Sequence, residues 1–355
     1  MFFLFLLLCA LSVSKFSVYV FDVGMADSQL IVYPSGYSIL IDLGEELNNH
    51  KPTNAEYVAT RVEEILGKKE LDVVVLTHLH TDHYGYYNQN GLWHLFNVSG
   101  FTAKKYIDRD FGVFTGDSTY GCDESSFTYH NVGEYTKAML LYGCQVQNTK
   151  KLSYLSTIRE QASENDYSIG LRIKYGNFVY CTAGDLGGKY TTQFDNTLND
   201  IESTVSDIVG SVDVMHANHH GSASSNNQKW LDALTPTVTL ISCGKANSYN
   251  LPSTAASKRF FATSKLTIST EQCNTEVVGE TYQEFNSDII ISVDKSSSKK
   301  FTVSNKDNSF LKSFDIKLNK PEKAKCRNAD PDDSKNGLQP TVVVAFVLIF
   351  FAFFI

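Results

Sequence analysis

The sequence predicts an α/β fold in which two β-sheets pack together and are sheathed by helices. Short apolar, β-branched runs alternate with segments of helical periodicity in both halves of the chain. Short polar turns separate most of them. The chemistry-bearing residues fall directly after strands, where α/β sheets keep their functional loops.

Taken in order, alternation marks strands over residues 16–21, 29–33, 38–42 and 71–77, with Pro34-Ser35-Gly36 turning the second into the third. A helix is expected over 54–66, capped by Thr53 or Asn54, with Val58, Val62, Ile65 and Leu66 on one face and Gly67 as its stop. Residues 84–160 are aromatic, glycine-rich and poorly periodic, with one helix expected over 133–142; they read as an insertion over the site. Regular pattern resumes with strands over 169–174 and 178–183, turning at Tyr175-Gly176-Asn177. A helix over 198–208, a strand over 212–217, a helix over 228–234 and a strand over 238–242 follow. A last β region, 288–293 and 301–304, precedes a charged linker that reads as a stalk.

The two ends carry targeting signals. Residues 1–14 form an apolar leader ending in Ser12-Val13-Ser14, a small-x-small cleavage site, and so read as a secretory signal peptide. At the other end a polar segment runs to residue 337, and residues 338–355 form an apolar tail with no charge beyond it. Spacer plus tail fits a GPI-attachment signal, with a short membrane helix as the alternative. The resulting division is leader 1–14, domain 15–316 with the 84–160 insertion, stalk 317–337 and tail 338–355. The expected location is the secretory pathway and the outward-facing cell surface, membrane-anchored through the tail, with no obligate protein partner indicated.

Of seven cysteines, Cys9 leaves with the leader. The remaining six suit an oxidising route, with Cys122–Cys144 the first bridge expected and Cys181 and Cys243 read as buried free thiols in apolar strands. Asn97-Val98-Ser99 is an N-glycosylation acceptor. The net charge of −8 repels polyanions, so broad nucleic-acid binding would need a local basic patch.

Most of the chemistry concentrates in Thr77-His78-Leu79-His80-Thr81-Asp82-His83, directly after the strand over 71–77. His78 and His80 can hold one ion while Asp82 and His83 turn toward a second. Imidazole with carboxylate suits Zn²⁺, Mn²⁺ or Fe and suits Ca²⁺ poorly. Two further strand ends present liganding groups, at Thr182-Ala183-Gly184-Asp185 and at Asn218-His219-His220-Gly221-Ser222.

The ordered set Val20-Phe21-Asp22-Val23-Gly24-Met25-Ala26-Asp27-Ser28, Ile41-Asp42-Leu43-Gly44, H-x-H-x-D-H at 78–83, Asn165-Asp166-Tyr167-Ser168, Ala183-Gly184-Asp185 and His219-His220-Gly221-Ser222 resembles the metallo-β-lactamase-fold hydrolases. Within that superfamily it is most similar to the hydrolase domain of the ComEC family of bacterial DNA-uptake proteins. The match continues through Ser242-Cys243-Gly244, Asn247-Ser248-Tyr249 and Leu251-Pro252. The resemblance implies an αββα sandwich with two divalent ions, Zn²⁺ foremost and Mn²⁺ the alternative, in the cleft between the sheets. It puts His78 and His80 on the first ion, Asp82 and His83 on the second and Asp185 between them. His220 is favoured as the final ligand, with His219 as a proton donor; Asp82 and His219 are the expected catalytic residues. Asp42, Asp27 and Asp166 would support the ligands from behind.

The pattern departs from the family at Met25-Ala26, Leu79 and Tyr86. No histidine accompanies Asn165-Asp166, which leaves the first ion to Asp166, Asn165 or water. The implied activity is metal-dependent hydrolysis, with a phosphodiesterase acting on a small-molecule or nucleic-acid phosphoester as the leading expectation. Esters of phosphocholine, lactams, thioesters and a catalytically weak binding protein are the alternatives.

Overall fold

The computed structural model describes residues 15–46, 49, 51–109, 113–115, 136–137, 139–140, 145–147, 163–188, 199–245, 247–318, 320 and 342–345. Its first half contains β1 (Phe16–Val20), β2 (Gln29–Val32), β3 (Ser38–Ile41), α1 (Thr53–Leu66), β4 (Glu70–Val75), α2 (Thr81–Tyr84), α3 (Gly91–Asn97) and β5 (Thr102–Ile107). A small hairpin, β6 (Val113–Thr115) with β7 (Gln145–Gln147), follows. The second half contains β8 (Gly170–Tyr175), β9 (Phe178–Thr182), α4 (Ile201–Val209), β10 (Val214–His216), α5 (Gln228–Leu234), β11 (Val238–Ile241), α6 (Thr254–Thr263), β12 (Leu266–Ser269) and β13 (Tyr282–Glu284). β14 (Ile289–Val293), β15 (Lys300–Asn305), β16 (Leu311–Asp315) and β17 (Val342–Ala345) complete the order.

Two large mixed sheets result, ordered β16-β15-β14-β1-β2-β3-β4-β5 and β13-β12-β11-β10-β9-β8-β17. The strand period of two divides each strand between two apolar layers. Phe16, Val18, Ile31, Ile39, Ile41, Val73 and Val75 of the first sheet meet Leu171, Ile173, Phe178, Tyr180, Leu240 and Ile268 of the second in the central core. The alternate residues Leu30, Leu40 and Val74 turn outward to Val58 and Val62 of α1 and Leu92 and Leu95 of α3. On the other side, Val179, Cys181 and Met215 pack against Val209, Trp230, Leu231 and Phe260 of α4, α5 and α6. The fold is therefore the expected αββα sandwich.

Several local expectations change. α1 starts at Thr53 behind Pro52, which has no side chain able to cap it, and Asn54, inside the first turn, donates to Val23 O at 2.9 Å and ties the helix to the β1–β2 connection. Gly67 ends it in the left-handed conformation, as expected. The segment from residue 84 contains α3 and β5, which the sequence did not reveal. β5 is an edge strand carrying outward Lys104 and Lys105, so it lacks the apolar alternation of an inner strand. Residues 136–137 and 139–140 are helical, within the expected 133–142 helix, whose other residues lie outside the described ones. α6, β12, β13 and β16 were also unforeseen; the three strands are short, and β16 is mostly exposed.

Cys243 is bonded to Cys273, which overturns its reading as a free thiol; its distant partner lies in a segment without strand or helix signal. Cys181 is free and buried, as expected. The Cys122–Cys144 bridge, the leader and nearly all of the stalk and tail fall outside the described residues. The stalk's start is pinned to the domain: Lys317 donates from its backbone to Asp213 Oδ1 at 2.9 Å, and Lys320 pairs with Asp213. Among the described residues, no helix is long and apolar enough to cross a membrane. Asn97 is exposed at the end of α3, its amide donating to Trp93 O and Leu140 O.

The Cys243–Cys273 bridge joins positions 30 residues apart in the chain. Cys273→Ser should cost about 3 kcal/mol of stability through the freed unfolded chain, read as a lower denaturant midpoint under non-reducing conditions.

Candidate metal centre

Three strand ends build the centre. β3 and β4 run parallel, with Ile41 beside Val75. Asp42, one residue past β3, therefore lies next to the turn that leaves β4. Its buried carboxylate accepts the Thr77 N–H at 2.8 Å, the Thr77 hydroxyl at 2.7 Å and the His83 Nδ1–H at 2.8 Å. These bonds fix the start of the His78–His83 loop and aim His83 Nε2 into the cleft. The segment after β3 crosses the loop closely, with Leu43 donating to His83 O and Glu45 to Thr81 O. A Cβ at Gly44 would stand 1.7 Å from Asp82 O, so only glycine permits this approach.

Asp185 follows β9, its N–H donating to Ser168 Oγ at 3.1 Å. It is 2% exposed and sits at the middle of the cluster. Its Oδ1 lies 3.2 Å from His83 Nε2 and 3.8 Å from His220 Nε2, and its Oδ2 lies 3.7 Å from His78 Nε2 and 3.8 Å from His219 Nε2. His78 Nε2 is 3.1 Å from His80 Nδ1, and His220 Nε2 is 3.4 Å from Asp82 Oδ2. The His219-His220 turn after β10 has both residues at positive φ, 53° and 51°. His220 donates from Nδ1 to Ser242 O at 3.0 Å, which presents Nε2 to the cleft.

Two groups emerge with Asp185 common to both: His78, His80 and Asp185, and Asp82, His83, Asp185 and His220. Every expected ligand from the three motifs is thus brought together. The chemistry of the donor set fits a cation. His83 Nε2 and His220 Nε2 are buried without a hydrogen-bond partner although they face carboxylates, because their protons sit on the opposite nitrogens. Opposed lone pairs of this kind need a proton or a metal between them.

Electrostatics agree. Burial would lower His83, but Asp185, Asp42 and Asp82 outweigh it and carry it well above the usual imidazole range. Burial likewise opposes the charge on His220, and Asp185 and Asp82 bring it up to about 9. For Asp185 burial favours the neutral acid, yet His83, His219, His220 and His78 hold it well below the ordinary carboxylate value.

The supporting acids divide. Asp27 accepts from Gln29 Nε2 at 3.2 and 3.1 Å and from Ser242 Oγ at 3.2 Å, and its own N–H donates to Asp82 O at 2.9 Å. It therefore touches both the Asp82 loop and the residue that orients His220. Asp166 does not face the cluster. Its carboxylate caps the turn over Glu164–Tyr167 by accepting the Ser163 N–H, and it also accepts from the Asn199 backbone and side chain. The expectation that Asp166 supports or fills the first site is corrected accordingly. Its neighbour Asn165 points inward, with Nδ2 3.4 Å from His219 Nε2.

Sequence reasoning missed four contributors. Glu164 accepts the Leu79 N–H at 3.0 Å and is gripped by Arg109 at 2.6 and 2.9 Å, which braces the chain between His78 and His80. Buried His216 contacts Ser242 Oγ at 2.9 Å. Thr77 carries the Asp42 bonds. Glu202 organises the loop after His220, accepting from Asn226 N at 2.6 Å, Asn218 Nδ2 at 2.7 Å and Asn227 N at 2.7 Å. Only Thr77, at a strand end beside the histidines, had a signal in the sequence.

The fold and site thus define an αββα protein with a buried His/Asp cluster suited to metal ions. No protein-family model matches the chain. It is similar to ComE operon protein 3 of Bacillus subtilis (strain 168), with 25% identity over 266 residues, covering 71% of this chain and 31% of that protein. The chain spans about a third of the relative's length.

Among the described residues Glu202 receives only donors, so the NH₂ of Glu202→Gln would oppose an N–H in either orientation. The substitution should cost about 1–3 kcal/mol, measured by urea unfolding.

Proposed function

We propose that the chain is a metal-dependent hydrolase of the metallo-β-lactamase superfamily, acting as a phosphodiesterase at the cell surface. The observation that carries the reading is the convergence of His78, His80, Asp82, His83 and His220 on buried Asp185, with ring nitrogens left unpartnered toward the cleft. Similarity to ComE operon protein 3 supports the kinship. The secretory reading draws support from the apolar leader and tail and from the Cys243–Cys273 bridge, which suits an oxidising compartment.

In this reading His78 and His80 would hold one ion and Asp82, His83 and His220 a second, with Asp185 available to both. Imidazole and carboxylate donors suit Zn²⁺, with Mn²⁺ also compatible. Two such ions, when bound, make water acidic enough to attack at neutral pH and neutralise charge developing on a phosphoryl group. The chain's own residues set the stage. Asp42 fixes the His83 tautomer, the Ser242 carbonyl does the same for His220, and Asp27 holds the Asp82 backbone. Asp82 is 31% exposed and contacts His220 Nε2 at 3.4 Å, an open position that supports its expected catalytic role.

The acidic surface favours a small phosphodiester over long nucleic acid. Lys104, in one of the basic pairs of the sequence, is already engaged by Asp72 and Glu70. The test is metal analysis of the purified protein together with parallel assays on bis-nitrophenyl phosphate, single-stranded DNA and nitrocefin. Expected is metal-dependent turnover of bis-nitrophenyl phosphate, lost on chelation and reduced by at least about 10³-fold in His80→Ala and Asp185→Ala with folding intact. Turnover of nitrocefin alone would refute the phosphodiesterase reading.

A further inference from the structure

The first half of the centre is short of one imidazole. His83 and His220 flank Asp185 Oδ1 and group with Asp82, whereas the other group contains, besides Asp185, His78 and His80. The turn over Glu164–Tyr167, which reaches this half through Asn165, carries Asn165 and Asp166 and no histidine. Resting on the two-ion reading above, we infer that His219 supplies the missing imidazole to the first ion, displacing its expected role as proton donor.

The geometry about Asp185 supports this assignment. Oδ2 lies between His78 Nε2 at 3.7 Å and His219 Nε2 at 3.8 Å, as Oδ1 lies between His83 at 3.2 Å and His220 at 3.8 Å. Each oxygen thus has two imidazoles within 3.8 Å, and His219 is the second of them at Oδ2. The backbone is held in an unfavourable form to achieve it. Two consecutive histidines in the left-handed region send their rings to opposite oxygens of one carboxylate. Bonds from His219 N to Gly184 O at 3.0 Å, from Ser222 N to His219 O at 2.8 Å and from Ser253 N to Gly221 O at 2.9 Å lock the turn.

The turn over Glu164–Tyr167 serves this arrangement. Glu164 of that turn holds the Leu79 N–H between His78 and His80, while Asn165 reaches His219 Nε2 over 3.4 Å. One turn therefore aligns both sides of the first half-site. Asn165 Oδ1 and His219 Nδ1 are buried without hydrogen-bond partners, so Asn165 sets an unused acceptor oxygen beside the ring that would hold the ion. At 24% exposure His219 is open to an entering ion, whereas His83 and His220 are sealed at 0% and 3%.

The test strips the full chain with chelator and dialyses it to equilibrium against Zn²⁺, with folding followed by circular dichroism. Wild type should hold two ions. His219→Ala should keep one tightly and bind the other at least about 100-fold more weakly, His219→Asp should recover part of that loss, and Asn165→Ala should weaken the same ion about tenfold. Two ions at wild-type affinity in His219→Ala overturn the assignment and leave the two-ion reading standing; lost turnover with both ions retained would make His219 a proton donor. Fewer than two ions in wild type overturn both. Should His219→Ala not fold, unchanged Zn²⁺ affinity in Asn165→Ala and His219→Asp counts against the assignment, and weakened affinity of one ion supports it.

Discussion

The buried carboxylate of Asp185 is the constraint around which the structure is arranged. An anion that far from water is costly unless charge or hydrogen bonds compensate it. Four imidazoles from two separate loops provide the surroundings, and none of them is its neighbour in sequence. The sandwich exists in the form that allows this. β4 of one sheet and β9 and β10 of the other all end at the same edge of the central core, so three loops meet over one cleft.

Rigidity at that edge comes from bonds behind the ligands. Asp42 is a hub for Thr77 and His83, Ser242 serves His220 through its carbonyl and Asp27 through its hydroxyl, and Arg109 with Glu164 braces Leu79. Asp42 and Ser242 are buried and take the Nδ1 protons of His83 and His220, which turns the Nε2 atoms of both rings to the cleft. Such pre-positioning is what a metal site requires, since ligands that need not reorganise lose little freedom on binding. The same economy explains the positive φ values at Asp42, His219 and His220, strain that the surrounding bonds hold in place.

The reading of the sequence succeeded where periodicity and burial coincide. β1 to β4, β8, β9, α5 and β11 lie between or beside apolar layers, and their alternation is visible. It failed at β5, β12, β13 and β16, which are short or lie at or near sheet edges, and at α6, whose polar Ser257, Lys258 and Arg259 blur the apolar stripe. Asp166 was misplaced because a carboxylate after a loop signals a ligand and a capping residue equally; only Asn199, 33 residues away, settles the choice. Cys243 was misread for a similar reason, since its partner Cys273 lies across a stretch without pattern.

The sequence alone determined the class of fold and the residues of the cluster. Strand periodicity and the H-x-H-x-D-H, Gly-Asp and His-His motifs are local properties, readable from neighbours in the chain. The tertiary structure decided which acid faces the ligands, which histidine nitrogens are free, and which oxygen of Asp185 each imidazole approaches. Those matters depend on parallel register between β3 and β4 and on contacts spanning many tens of residues, and linear spacing carries no record of them.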